Sequence, residues 1–142
     1  MKKEQTFAII GVGNLGKYYL KSLANYSGKA LIQIIDASQE ALDRAKSMFE
    51  ESNENKNVRL EICQDISELN EHIDILAVVT SSRSRRRIVE MVLETKEVQY
   101  MILEKVLFPC LEDYDAIKEL LEEKSKSMGK LYKMIDARVC KN

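Results

Sequence analysis

The sequence predicts an α/β fold, a doubly wound, mostly parallel sheet of about six strands with helices on both faces. Two observations carry that expectation. Short apolar, β-prone runs alternate at least five times with segments of helical periodicity, and the runs are mostly continuous, as strands buried on both faces require. The chain, at 142 residues, has the size of one ordinary domain, with no repeat, low-complexity tract or Pro-rich linker, so residues 1–142 read as a single unit.

The elements follow in order. Thr6 to Ile10 (TFAII) is a buried strand that stops at Gly11. Asn14 to Tyr26 turn helical, with Leu15, Tyr19 and Leu23 on one face and Lys17 and Lys21 on another. Ala30 to Asp36 (ALIQIID) is the next strand. Ser38 can cap the following helix, which carries Leu42, Ala45, Met48 and Phe49 inward, and ESNENKN (51–57) reads as its exit loop. Val58, Leu60 and Ile62 alternate with Arg59 and Glu61, the pattern of a half-exposed strand near an edge. Ile73 to Thr80 is the longest buried-strand signal, followed by a helix from about Ser84 to Thr95 and a strand from Val98 to Leu103. A helix from about Glu112 to Met128, with Ile117, Leu120 and Leu121 as its apolar stripe, is expected to end on Gly129, and Lys130 to Ile135 could form a last strand.

Composition excludes several functions. Lys+Arg 22 against Asp+Glu 23 leaves a net charge of -1, which gives no support to general nucleic-acid or membrane-surface binding. Cys63, Cys110 and Cys140 are widely spaced, and His72 is the only histidine, so neither a disulfide framework nor a metal site is expected. No apolar run reaches the roughly 18 residues of a membrane span, and MKKEQTF lacks a secretory apolar stretch. A cytoplasmic, soluble protein is the expectation.

The chemistry starts in the first turn, Gly11-Val12-Gly13-Asn14-Leu15-Gly16, set between a strand and a helix. Gly11 allows the tight turn, Gly13 leaves room for a pyrophosphate, and Gly16 lets the helix pack closely on the strand, while the helix N-terminus offers N–H groups to phosphate. Asp36 follows Gly16 by about 20 residues at the end of the second strand, where a carboxylate can accept bonds from ribose hydroxyls. Together these form a Rossmann-type dinucleotide fingerprint. The alternatives are a structural glycine turn or a methyltransferase-like adenosine site, and for Asp36 an Asx turn or helix cap. A carboxylate at position 36, followed by Ala37 and Ser38 with no arginine, would repel a 2′-phosphate, so NAD is preferred and NADP less expected.

If Val98 to Leu103 is a central strand, Glu104 and Lys105 emerge beyond its carboxyl end, on the side of the glycine turn where such sheets bind ligands. A solvated Glu-Lys pair is the plainer alternative. At this point the sequence resembles the N-terminal half of the Gfo/Idh/MocA (glucose-fructose oxidoreductase and inositol dehydrogenase) family. The likeness covers residues 5 to about 125 and rests on IIGVGNLG, Asp36, IDILAVVT, and ILEKVL where the family has Glu-Lys-Pro. The resemblance implies hydride transfer between a sugar or polyol and NAD(P), with Lys105 as proton relay beside the nicotinamide and Glu104 helping to position it. It also places Thr80, Ser81, Ser82 and Arg85 by the cofactor, on the loop where the family reads Thr-Pro-Asn-x-x-His and this chain has Arg85 in place of the histidine. The proline after the lysine is Val106 here.

The cluster Arg83, Arg85, Arg86 and Arg87 opens a helix, where cations oppose the macrodipole. Two readings stand: a face toward the cofactor or an acidic sugar, or a solvated face paired with Glu90 and Glu94. The resemblance further implies a substrate domain after the last strand, so a chain ending at Asn142 is expected to be catalytically incomplete alone. A non-enzymatic NAD-responsive or protein-interaction module, prone to self-association, is the alternative. Some bacterial surface-sugar members that the sequence looks like continue with Trp-Val-Asn-Cys-x-Arg, which residues 128–133 can encode in the adjacent frame. A truncated gene is the corresponding expectation, although that frame meets a forced stop at Met134-Ile135.

Overall fold

Strands β1 (Gln5–Ile10), β2 (Ala30–Ile35), β3 (Val58–Ile62), β4 (His72–Val78) and β5 (Glu97–Leu103) form one sheet in the order β3-β2-β1-β4-β5. The structure is a computed structural model that describes residues 3–104 and 108–128. All four strand pairings are parallel, with Phe7 beside Ile32 on one side and Ile75 on the other. Parallel neighbours demand crossovers, which helices α1 (Gly16–Leu23), α2 (Gln39–Ser52) and α3 (Ser82–Thr95) and a short 3-10 turn at Ile66–Glu68 supply. Helix α4 (Leu111–Met128) follows β5.

The helices divide between the two faces of the sheet. Leu20 of α1 and Leu42 and Phe49 of α2 pack with Phe7, Ile9, Ile32 and Ile34. Val89 and Val92 of α3 and Ile117 of α4 pack with Ala8, Ile10, Leu76 and Val78. Successive residues of β1 therefore enter opposite cores, which is why its sequence is apolar without alternation.

The edges explain the remaining patterns. β3 lies at one edge, and its burial alternates as its sequence does. β5 is the other edge strand of the described sheet and not a central one, with Tyr100 64% and Ile102 40% exposed. The further strand expected at Lys130–Ile135, and the cap at Gly129, lie outside the described residues.

Helix α1 is shorter than its periodicity predicts. Asn14 and Leu15 belong to the glycine turn, and Tyr26 leaves the helix to meet the Phe7 ring edge-on at 5.3 Å. The polar run after α2 does more than exit: Asn53 and Asn55 donate side-chain hydrogen bonds to the carbonyls of Ala24 and Tyr26 at 2.7 and 2.6 Å. Ser38 caps α2 as expected, its hydroxyl accepting from the Ala41 N–H at 3.2 Å. No helix among the described residues is long and apolar enough to cross a membrane.

Candidate functional site

The carboxyl ends of β1, β2, β4 and β5 bring the described residues among those predicted to one edge of the sheet. β1 delivers Gly11, which has φ +96 and donates its N–H to the Ile35 carbonyl at 2.8 Å. A Cβ at Gly11 would stand 2.9 Å from the backbone of Val79, so a side chain is excluded by both conformation and space. At Gly16 a Cβ would fall 1.8 Å from the Gly11 carbonyl oxygen, which is the close helix-to-strand packing the motif requires. Gly13 differs: nothing lies within 4 Å of where its Cβ would be. The backbone there is open to an approaching group.

Helix α1 begins behind this opening. Its N-cap is Leu15, no side chain caps it, and its first turn holds no acid. Helix α2, by contrast, has a serine cap and Glu40 in its first turn. The end of α1 thus has its positive dipole end and N–H groups directed at the glycine turn, with Asn14 and Leu15 exposed beside it.

Asp36 follows β2 immediately. One carboxylate oxygen accepts from the Val12 N–H at 2.8 Å, and the other accepts from the Ser38 N–H at 2.8 Å. The Asx turn weighed from sequence is therefore present. A carboxylate has about four acceptor positions, so two N–H bonds leave capacity for hydroxyl donors.

β4 lies beside β1, and Thr80, Ser81 and Ser82 follow it opposite the glycine turn. Here the strand order reverses, the switch point at which open α/β sheets take ligands. The Thr80 hydroxyl oxygen is buried and has no hydrogen-bond partner among the described residues. An orphan of this kind is satisfied by a ligand atom or water.

Arg85 behaves otherwise than expected. It is only 2% exposed, and its guanidinium donates to the Thr80 carbonyl at 2.6 Å and to the Glu104 carbonyl. Burial draws its pKa down while the nearby Glu104 charge acts upward. Arg85 is a strut that supplies donors to carbonyls where the β-ladder has run out. Arg86 pairs with Glu90 of its own helix at 2.8 Å and ties α3 to α4 through Asp113 at 2.9 Å, so the paired-face reading holds for this arginine. Arg83 and Arg87 are exposed.

Glu104, just past β5, accepts a hydrogen bond from the Tyr19 hydroxyl at 2.5 Å. The bond, then burial and the carboxylate charge, push the Tyr19 hydroxyl up to about 12 from 10.0. From sequence Tyr19 is only a residue of the α1 stripe, and no local signal marks it as a partner of a residue 85 positions away. Lys105 and Val106 lie outside the described residues.

The model of the oxidoreductase family with an NAD-binding Rossmann fold, Gfo/Idh/MocA, matches residues 5–131. Among solved structures, UDP-N-acetylglucosamine 3-dehydrogenase from Acidithiobacillus ferrooxidans is 17% identical with a TM-score of 0.66, over 87% of this chain and 36% of that one. Myo-inositol 2-dehydrogenase from Lactobacillus plantarum is 20% identical with a TM-score of 0.65, over 86% and 34%. Lactate dehydrogenase from Trichomonas vaginalis, solved with NADH and oxamate, is 13% identical with a TM-score of 0.52, over 70% and 37%. At these identities the likeness is one of fold. The chain spans about a third of the length of these structures, 34 to 37%. Comparison with curated protein sequences gives no significant match.

Proposed function

Because the chain belongs to the Gfo/Idh/MocA oxidoreductase family, we propose that residues 1–142 act as one domain that binds NAD(H) along the carboxyl edge of its sheet. In this reading it is the cofactor half of a sugar or polyol dehydrogenase. The open backbone at Gly13, set before an uncapped helix and beside Asp36, is the observation that carries the reading. The residues fit the group. Gly13 gives a pyrophosphate access to the backbone, the end of α1 favours its charge, and the buried Thr80 hydroxyl offers an unfilled hydrogen bond.

Asp36 would accept from ribose hydroxyls, and its charge disfavours a 2′-phosphate, so NAD is the proposed form over NADP. NAD supplies a hydride acceptor for a carbinol carbon. Glu104 at the β5 exit and Lys105 after it are the residues proposed to act there, Lys105 as proton relay and Glu104 as its neighbour on the nicotinamide side. Sugar or polyol substrates are supported by the names of two solved neighbours, a UDP-N-acetylglucosamine dehydrogenase and a myo-inositol dehydrogenase.

Titration of the protein with NADH and NADPH by calorimetry tests this. NADH should bind at least about tenfold more tightly than NADPH. No binding of either at millimolar concentration would overturn the cofactor reading, and a preference for NADPH would overturn the role of Asp36. Lys105→Ala should leave NADH affinity within about twofold while removing any sugar-dependent reduction of NAD.

A second reading, an NAD-binding module that associates with itself, is favoured by the exposed Tyr100 and Ile102 on the edge strand. Sedimentation of the wild type and of Tyr100→Lys separates the two: a monomer at all concentrations removes this reading.

A further inference from the structure

Glu104 is held at two points and from both faces of the sheet. Its backbone carbonyl accepts from the buried Arg85 guanidinium of α3, and its carboxylate accepts from the Tyr19 hydroxyl of α1. Helices α3 and α1 pack into opposite cores, so neither tie follows from the other. In the strand order β4 separates β1 from β5. The Tyr19 bond therefore runs from the helix behind the glycine turn, past the end of β4, to the residue beyond β5. It spans the place where the strand order reverses and where ligands enter such sheets.

The chemistry of the pair is one-sided. Tyr19 is half-buried and keeps its proton well above neutral pH, so its hydroxyl is a standing donor. Glu104 is half-buried as well, and a carboxylate with about four acceptor positions is not filled by one tyrosine. Fixing a carboxylate at the rim of the sheet adds nothing to either apolar core. It does prepare an oriented acceptor for a donor arriving from the crevice.

We propose that Tyr19 is a positioning residue: it aims the Glu104 carboxylate so that its remaining acceptor positions meet a hydroxyl or amide N–H at the nicotinamide end of the bound dinucleotide. The proposal rests on the dinucleotide reading given above. It assigns the two ends of the ligand to different residues, with the glycine turn and Asp36 serving the ADP portion and the Tyr19–Glu104 pair serving the rest.

ADP, which lacks the nicotinamide riboside, is the probe that tells these apart. Tyr19→Phe, Glu104→Gln and the double variant are each titrated with NADH and with ADP. ADP affinity should stay within about twofold of wild type throughout, which also reports that each variant is folded. NADH affinity should fall about fivefold in each single variant and no further in the double variant. In protein carrying 13C at the tyrosine Cζ, the Tyr19 signal should move on adding NADH and stay in place on adding ADP.

Wild-type NADH affinity in Tyr19→Phe overturns the proposal, as does an equal loss of ADP affinity or effects that multiply in the double variant. In all three cases wild-type ADP binding leaves the dinucleotide reading intact. If wild type binds neither ADP nor NADH, both fall together.

Discussion

Polar residues line the sheet toward both of its ends, but only one set is complete on its own. Toward the amino end, Asp74 accepts from the Thr6 N–H at 2.8 Å and Asn70 donates to the Thr6 hydroxyl at 3.3 Å. The Asn70 N–H carries this network inward to Gln33 at 2.9 Å, and Gln33, farther along β2, donates to Glu61 at 3.1 Å. Lys96, buried at the end of α3, lies against the Ser67 carbonyl and the Glu71 carboxylate at 3.4 and 3.3 Å. Each of these groups finds its partner in the chain. At the carboxyl end the Thr80 hydroxyl is buried without a partner among the described residues, and Gly13 presents bare backbone. Residue types are similar at both ends; what differs is who completes the hydrogen bonds. A closed network serves stability, and an open one is finished by a ligand.

The contrast predicts which substitutions unfold the protein and which only empty the site. The largest effect belongs to Gly16, the ligand-end position on which the fold itself depends. Gly16→Ala puts a methyl 1.8 Å from a backbone oxygen, so α1 must move off β1. We expect a loss of about 3 kcal/mol or more and a melting midpoint lowered by roughly 10 °C. A wild-type melting curve would deny that the turn is closely packed.

Next comes the closed network. Asp74→Ala strands the Thr6 N–H and should cost about 2 kcal/mol in urea unfolding, with NADH affinity unchanged. Weakened NADH binding at undiminished stability would erase the distinction between the two ends. Gly13→Ala is the converse case. Because no atom stands within 4 Å of the new methyl, stability should hold within about 0.5 kcal/mol, while NADH affinity should fall about tenfold. Unaltered affinity would mean that the open backbone is not where phosphate binds.

Most of the open end was legible because its parts are contiguous. Strand, glycine turn and helix follow one another from Gln5 to Leu23, so each glycine's task is set by neighbours a few residues away. The later strands also fall close to their apolar runs: His72–Val78 for the expected 73–80, and Glu97–Leu103 for 98–103. What stayed hidden is contact between distant side chains. Periodicity says which face of α1 carries Tyr19 but not that Glu104 waits there. Arg85 looked outward because it sits in a cationic cluster. It turned inward because the carbonyls of Thr80 and Glu104 needed donors that no strand could supply. The asparagines after α2 looked like solvated loop residues for the same reason: the carbonyls they satisfy belong to another connection.

The smallest predicted effect tests whether the Tyr19–Glu104 tie persists in solution, and its sign follows from the direction of the shift. Tyr19 titrates near 12 in the folded chain against 10.0 for an unperturbed tyrosine, chiefly through its bond to Glu104. The folded state holds this proton more tightly, so the contribution to stability is complete below about pH 10 and is lost as pH rises through about 12. Subtracting the unfolding free energy of Tyr19→Phe from that of wild type cancels the other tyrosines and the lysines. The difference should be constant at neutral to mildly alkaline pH and shrink across that window. An ultraviolet difference titration gives the same information directly: the Tyr19 ionisation near 12 in wild type should move to lower pH in Glu104→Gln. A difference that stays flat through the window would mean that Tyr19 is solvated. The carboxyl end would then keep Arg85 as the only one of the two described ties on Glu104, with the carboxylate left to swing, and a ligand would have to order it on binding.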